Sequence, residues 1–169
     1  QKKEFITPPL TIEGRAWVIR KDNIDTDMIY HNRYLPITTI SEMGQYTFGN
    51  LKGYEQFATE AKKGDIVIVG KNFGCGSSRQ QAVDCFKALG ISAIVSESFG
   101  AIYERNAINS GMSILVAKDI TKKIHDKDIV SIDFTTGIII NKTQAITYQV
   151  KPFSQTQKEI YLHGGLLGR

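Results

Sequence analysis

The sequence predicts a mixed α/β domain, parallel in its middle and antiparallel near its ends, and three observations predict it. Between Asp65 and Ser96 an apolar run, a glycine-rich loop, a helix-spaced segment and a second apolar run follow one another in the order of a βαβ unit. After residue 128 short β-forming runs are joined by turn residues, the pattern of hairpin strands. A chain of 169 residues with 41% hydrophobic content is long enough for one domain with a real core, so 1–169 is read as a single unit.

Taken in order, LTIEGRAWVI (10–19) has strand character. KDNIDTDMIYHNRYLPITTISEMG follows, a long irregular stretch rich in Asp, Asn and Thr, and such a stretch is costly to order unless it builds a site. Residues 53–61 read as helical, ending near Lys63-Gly64, and DIVIVG (65–70) as a buried strand. Ala82, Cys85, Phe86 and Leu89 recur at helical spacing and Gly90 stands where a left-handed C-terminal cap would, so a helix is expected over 78–89. ISAIVS (91–96) is the next strand, followed by a helix over about 99–109 and a strand SILVA (113–117). DIVSIDF, the turn TTG, IIIN and AITYQV read as antiparallel strands. Ser154 and Gln157 make a capping box before a helix over 155–162, which Gly164-Gly165 ends.

The net charge of +4 is scattered, with no basic run longer than two residues, which describes a solvated surface better than a nucleic-acid face. No apolar run reaches membrane-spanning length, and QKKEFITPPL lacks the features of a secretory signal, so a soluble, cytoplasmic protein is expected. Cys75 and Cys85 are too few for the three or four thiolates of an iron–sulfur cluster, and His31, His125 and His163 show no metal-ligand spacing.

GKNFGCGSSRQQAVDCFKALG (70–90) carries the chemistry. A dinucleotide fingerprint fails because Arg79 stands where its third glycine belongs. A phosphate-binding P-loop fails because Lys71 precedes the glycines, and a nucleophile elbow fails because neither Ser77 nor Ser78 has a glycine two places on. What survives is a loop that lets backbone approach a ligand, at a helix start that favours an anion, with Arg79 able to fork onto a carboxylate. Spacing alone does not separate this from a serine N-cap with a surface arginine. Cys75 has no histidine partner in the pattern and is read as loop wall.

GKNFGCGSSRQQAV, ESFGAIYERNAINSG, DNIDTDMIYHNRYL and the terminal EIYLHGGLL resemble, in order and spacing from about residue 12 to the C-terminus, the small subunits of the 3-isopropylmalate dehydratases. These are swivel-domain relatives of aconitase and homoaconitase. The resemblance implies a swivelling β/β/α domain with a mixed sheet, docked on a separate large subunit as a heterodimer or heterotetramer. It implies a [4Fe–4S] cluster held by that large subunit and not by this chain. The implied activity is that of a hydro-lyase, active only with the large subunit, which takes water from a 2-hydroxy di- or tricarboxylate and returns it the other way round. The corresponding reaction interconverts 2- and 3-isopropylmalate in leucine biosynthesis.

Carried over residue by residue, the resemblance makes Ser77 the base that takes the proton next to a carboxylate, its oxyanion stabilised by the helix N-terminus and Arg79. The leaving hydroxyl would sit on the cluster iron. Ser78 and Arg79 would hold carboxylate oxygens, Asp27 would be an active-site aspartate, and Arg105, Asn106 and Asn109 would brace the cleft. Tyr34, Leu35, Pro36, Ile37 and Thr38 correspond to the loop that selects the substrate. Members that accept an extra carboxylate place an arginine just after Tyr-Leu; an apolar run suits an isopropyl group, since a buried carboxylate without a cation is costly.

Two departures stand out. Arg79-Gln80-Gln81 replaces the usual Arg-Glu-His or Arg-Glu-Gln, which is read as leaving Arg79 less neutralised. Tyr30-His31-Asn32 replaces Ile-Pro-Ala or Ile-Pro-Gly, which is read as moving the selector loop. A related hydratase acting on methyl- or dimethyl-malate, citraconate or homoaconitate is the alternative these departures raise. A non-catalytic module binding organic acids or RNA is the alternative of another class, motivated by the positive charge.

Overall fold

The structure is a computed structural model that describes residues 6–167. Its strands are β1 (Thr11–Ile19), β2 (Ile66–Val69), β3 (Ala93–Ser96), β4 (Ile114–Val116), β5 (Ile129–Asp133), β6 (Ile138–Asn141) and β7 (Ile146–Gln149). They form one mixed sheet in the order β4-β3-β2-β1-β5-β6-β7. The β1–β2, β2–β3 and β3–β4 pairs are parallel, and the β1–β5, β5–β6 and β6–β7 pairs are antiparallel. The strand β1 joins the two halves: Ala16–Ile19 pair with β2, whereas Thr11–Arg15 pair with β5.

The helices are α1 (Thr26–Ile29), α2 (Ile40–Met43), α3 (Phe57–Glu60), α4 (Gln81–Leu89), α5 (Ala101–Asn109), α6 (Ile120–Lys123) and α7 (Gln155–Leu162). No helix among the described residues is long and apolar enough to cross a membrane. Strand alternation sends Trp17, Ile19, Val67, Val69, Ile94 and Ile114 to one face, where Phe86 of α4 and Tyr103 of α5 cover them together with Ile29, Phe48 and Phe57. The intervening residues Ala16, Val18, Ile66, Ile68, Val95 and Leu115 face the other way, against Ile120 of α6, Tyr161 of α7 and the hairpin residues Val130, Ile132 and Ile139. Both faces of the parallel half are therefore buried, which is why its strands read as unbroken apolar runs.

The expected helix over 155–162 is present, with the Ser154 hydroxyl accepting from the Gln157 amide at 3.0 Å. The helix expected over 78–89 begins instead at Gln81. Ala82 N first bonds Arg79 O at 3.1 Å in a tighter turn, and the α pattern starts with Asp84 N to Gln80 O at 3.0 Å. It ends, as expected, on Gly90 in the left-handed region at φ 73°. The helical reading of 53–61 shrinks to the single turn of α3, because only Phe57 anchors it in the core. The stretch read as irregular holds α1, α2 and 3-10 turns at Asn32–Tyr34 and Gly44–Tyr46.

Candidate active site

The loop that follows β2 is held by backbone from both sides. Gly74 N donates to Ile24 O at 2.8 Å and Thr26 N to Cys75 O at 3.0 Å, while across the loop Phe73 N donates to Ser98 O at 3.0 Å and Gly100 N to Phe73 O at 2.9 Å. Gly74 lies at φ +80°, and a Cβ there would stand 2.2 Å from Cγ of Tyr103. Tyr103 cannot yield, being buried with its hydroxyl on Ala82 O at 2.7 Å. Only glycine allows this approach, and it sends Ser77-Ser78-Arg79 out over the segment 25–27.

Ser77 and Ser78 are exposed. Ser78 Oγ accepts from Asn106 Nδ2 at 3.2 Å, so Asn106 braces the loop from α5; Ser77 has no side-chain hydrogen bond among the described residues. Neither serine caps α4, whose start carries no side-chain cap.

Arg79, expected in the first helical turn, precedes the helix. Its Nη1 donates to Asp27 Oδ1 at 2.9 Å and to Tyr30 O at 2.7 Å, and its side chain is only 10% exposed. Of the five guanidinium donors this leaves those on Nη2 and Nε without protein partners among the described residues, an edge suited to a carboxylate. With Gln80 in place of the usual glutamate, Arg79 still has an ion-pair partner from another segment. Asp27 supplies its counter-charge, while Gln80 points to Asp84 Oδ1 at 3.2 Å and Ser110 Oγ at 2.6 Å, tying α4 to the end of α5.

Asp27 also accepts from Asn32 N at 2.8 Å on Oδ1 and from Asn50 Nδ2 at 3.1 Å on Oδ2. Burial pulls its carboxyl upward, but the Arg79 hydrogen bond, the Asn32 amide and the positive charge of Arg79 outweigh it and hold Asp27 below the ordinary carboxylate range. Asp27 is thus an ionised acceptor at neutral pH, and Asp25, not Asp27, caps α1 by accepting from Met28 N at 2.8 Å.

The Tyr30-His31-Asn32 departure is built into this arrangement. Tyr30 is fully buried, presents its carbonyl to Arg79 and donates its hydroxyl to Tyr34 O at 3.0 Å. His31 Nδ1 accepts from Arg33 N at 3.0 Å. The Tyr34 ring stacks on Tyr46 with centroids 3.8 Å apart, and Ile37 packs on the same core. Leu35, Pro36 and Thr38 stay exposed. Gln81 Nε2 reaches Leu35 O at 3.1 Å. Behind Tyr34 a cavity of about 310 Å³ is lined by residues including His31, Arg33, Tyr46 and Asn50; neither serine lines it.

The structure therefore brings Ser77, Ser78, Arg79 and Asp27 to one surface beside the loop 34–38. Sequence reasoning left out Asn50, which holds Asp27 through a long-range contact that no local pattern marks, and it singled out Gln81 within Arg79-Gln80-Gln81 without reading its contact to Leu35 O. A cluster does not fit this chain. Cys85 is buried within α4 with its thiol pushed up to about 12 by burial, Cys75 is raised by burial and by Asp25, and no group of three or more metal-ligating side chains occurs among the described residues.

Fold and site define a domain of the aconitase type, and residues 10–120 match the family model described as the aconitase C-terminal domain. The chain belongs to that family. It is 45% identical over 154 residues, 91% of this chain and 93% of the relative, to the 3-isopropylmalate dehydratase small subunit 1 of Archaeoglobus fulgidus. It is 42% identical to the methanogen homoaconitase small subunit of Methanothermobacter thermautotrophicus, over 92% of this chain and 88% of the relative. Among solved structures, 3-isopropylmalate dehydratase from Methanocaldococcus jannaschii superimposes with a TM-score of 0.87 at 37% identity, covering 94% of this chain and 92% of that one.

Proposed function

We propose that this chain is the small subunit of a 3-isopropylmalate dehydratase, a cytoplasmic hydro-lyase of leucine biosynthesis that becomes active on joining a large subunit carrying a [4Fe–4S] cluster. The observation that carries the reading is the pairing of an exposed Ser77 and Ser78 with an Arg79 that Asp27 and Tyr30 hold in place while its remaining donors have no partner among the described residues. In this reading those donors and the Ser78 hydroxyl hold a substrate carboxylate. Ser77 Oγ, as the oxyanion, takes the proton from the adjacent carbon and becomes a hydroxyl, the electron pair left there becomes the double bond of the unsaturated intermediate, and the substrate's hydroxyl departs as hydroxide on the side facing the large subunit. Rehydration delivers the proton from Ser77 to the carbon that lost the hydroxyl while hydroxide joins the carbon that lost the proton, which regenerates the Ser77 oxyanion. Because α4 starts only at Gln81, this reading assigns the stabilisation of the Ser77 oxyanion to the positive charge of Arg79.

The exposed apolar residues Leu35 and Pro36, with Ile37 beside them, suit a branched alkyl side group. A homoaconitase-type substrate, the second reading that the 42% identical relative raises, needs a cation for its extra carboxylate. Residues 35–38 offer none, and Arg33 lies over the Tyr34 ring at 5.9 Å.

The test is to combine the chain with a cluster-loaded large subunit and follow the absorbance of the unsaturated intermediate from 3-isopropylmalate. Ser77→Ala is expected to lower kcat by about 10²–10⁴ while the melting temperature of the chain stays unchanged, because Ser77 is exposed. Unchanged turnover would remove Ser77 from the role of base, and absence of any isopropylmalate turnover by the unmutated pair would remove the substrate assignment.

A further inference from the structure

Two residues at the start of α4 hold the two ends of one loop. Arg79 Nη1 donates to Tyr30 O at 2.7 Å, and Gln81 Nε2 donates to Leu35 O at 3.1 Å. Between these ends the loop is closed on itself by Leu35 N to Asn32 O at 3.1 Å and the Tyr30 hydroxyl to Tyr34 O at 3.0 Å, and just past the second end Ile37 N donates to Tyr34 O at 3.0 Å. Tyr30 and Tyr34 are seated in an aromatic cluster with Tyr46, so the front of the loop is fixed by packing. Past Tyr34 that packing thins out to Ile37, which is half-buried against the same core, and leaves Leu35 and Pro36 outside it. Leu35 is 39% exposed and Pro36 and Thr38 are exposed, and the Gln81 amide is the side chain that reaches this end from across the cleft.

We infer that Gln81 is a positioning residue for substrate specificity: it fixes the apolar end of the loop, Leu35 to Ile37, relative to Arg79, and thereby fixes the size of side group that fits on a 2-hydroxy diacid held by Arg79. The inference rests on the functional reading above and extends it. Arg79 and Gln81 stand two positions apart on one short segment, so the carboxylate anchor and the wall for the side group share a single rigid mount. Gln81 touches the loop backbone and not the substrate, so its effect is on fit. Small displacements of such a wall act on substrates in proportion to how much of them meets it.

Gln81→Glu is isosteric, only accepts hydrogen bonds when ionised, and suits the first turn of a helix, so it removes the tether without weakening α4. In the reconstituted holoenzyme the variant is expected to lower kcat/KM for 3-isopropylmalate about tenfold, chiefly through KM, and to change kcat/KM for unbranched malate by less than about twofold. In the isolated chain, amide hydrogen exchange at Leu35 and Ile37 is expected to speed up about tenfold or more, with the amides of α4 unchanged. Unchanged exchange at those two amides, an unchanged ratio between the two substrates, or equal losses on both would each overturn the inference. Failure of the unmutated holoenzyme to turn over isopropylmalate is a different result and sinks the functional reading instead; the exchange measurement needs neither substrate nor partner and still decides the tether.

Discussion

Arg79 is 10% exposed and its partner Asp27 39%, which places their ion pair between two energetic limits. Exposed pairs contribute about 0–1 kcal/mol, so the pair is a weak source of stability and a strong source of direction, since it and the Tyr30 carbonyl both engage Nη1. A single ammonium cannot serve Asp27 and Tyr30 O and still present a planar edge to a ligand. Arg79→Lys in the reconstituted enzyme is therefore expected to raise KM by roughly 10–100-fold, and a melting curve of the isolated chain is expected to move by only a few degrees. The residues of the contiguous run 77–79 were legible in the sequence because one motif carries them together. Asn50 was not, because it meets Asp27 only after the chain has folded back across the core, and an isolated asparagine carries no pattern.

Among elements, the loop between β2 and α4 is pinned at Gly74. Gly74→Ala would place a methyl group against the Tyr103 ring at a backbone conformation that side chains disfavour. The expected destabilisation is about 2–4 kcal/mol, measured by urea unfolding, with loss of activity in the holoenzyme as Ser77 and Arg79 shift together. The buried strands β2 and β3 and the helix α7 could be read from unbroken apolar runs and from capping because each gives several residues of consistent signal. The turns at 26–29 and 32–34 could not: each is one turn long, fixed by a local cap from Asp25 or His31, and too short for a 3.6-residue repeat to show. The start of α4 was misplaced for a related reason. Ser78 has the chemistry of a cap, but Asn106 engages its hydroxyl instead.

Across the whole molecule, two carboxylates tie the sheet to its surroundings. Asp65 Oδ2 accepts from Arg15 Nη2, Trp17 Nε1 and Lys62 N, each at 2.8 Å. Asp128 Oδ2 accepts from His125 N at 2.9 Å and from Asn141 Nδ2 and Gln144 Nε2, both at 2.7 Å. Burial acts to raise both carboxyls, but these hydrogen bonds and the nearby positive charges of Arg15 and His125 outweigh it and hold both below the ordinary value. The unfolded chain then binds more protons than the folded one in acid, so the stabilisation is complete above the unfolded value near ~3.9 and is lost as pH falls through the folded values. Urea unfolding is expected to show stability falling with acid below about pH 4. Asp65→Asn is expected to cost roughly 2–4 kcal/mol at pH 7, and the gap from the unmutated chain should narrow in acid as the native carboxyl is itself neutralised.

The shared strand β1 has a further consequence. Ala16 both opens the ladder to β2 and exchanges backbone hydrogen bonds with the 127–128 segment, Ala16 N to Asp128 O at 2.8 Å and Lys127 N to Ala16 O at 2.7 Å. Ile12, Ala16 and Val18 look one way and Trp17 and Ile19 the other, so one strand keeps time for the parallel and the antiparallel half of the sheet. Adding or deleting a single residue ahead of Ala16 would put the hairpins out of phase with the parallel strands, turning Ile12 outward and Glu13 inward. Loops elsewhere can lengthen over evolutionary time; this stretch of nine residues is a ruler whose graduations cannot move by one.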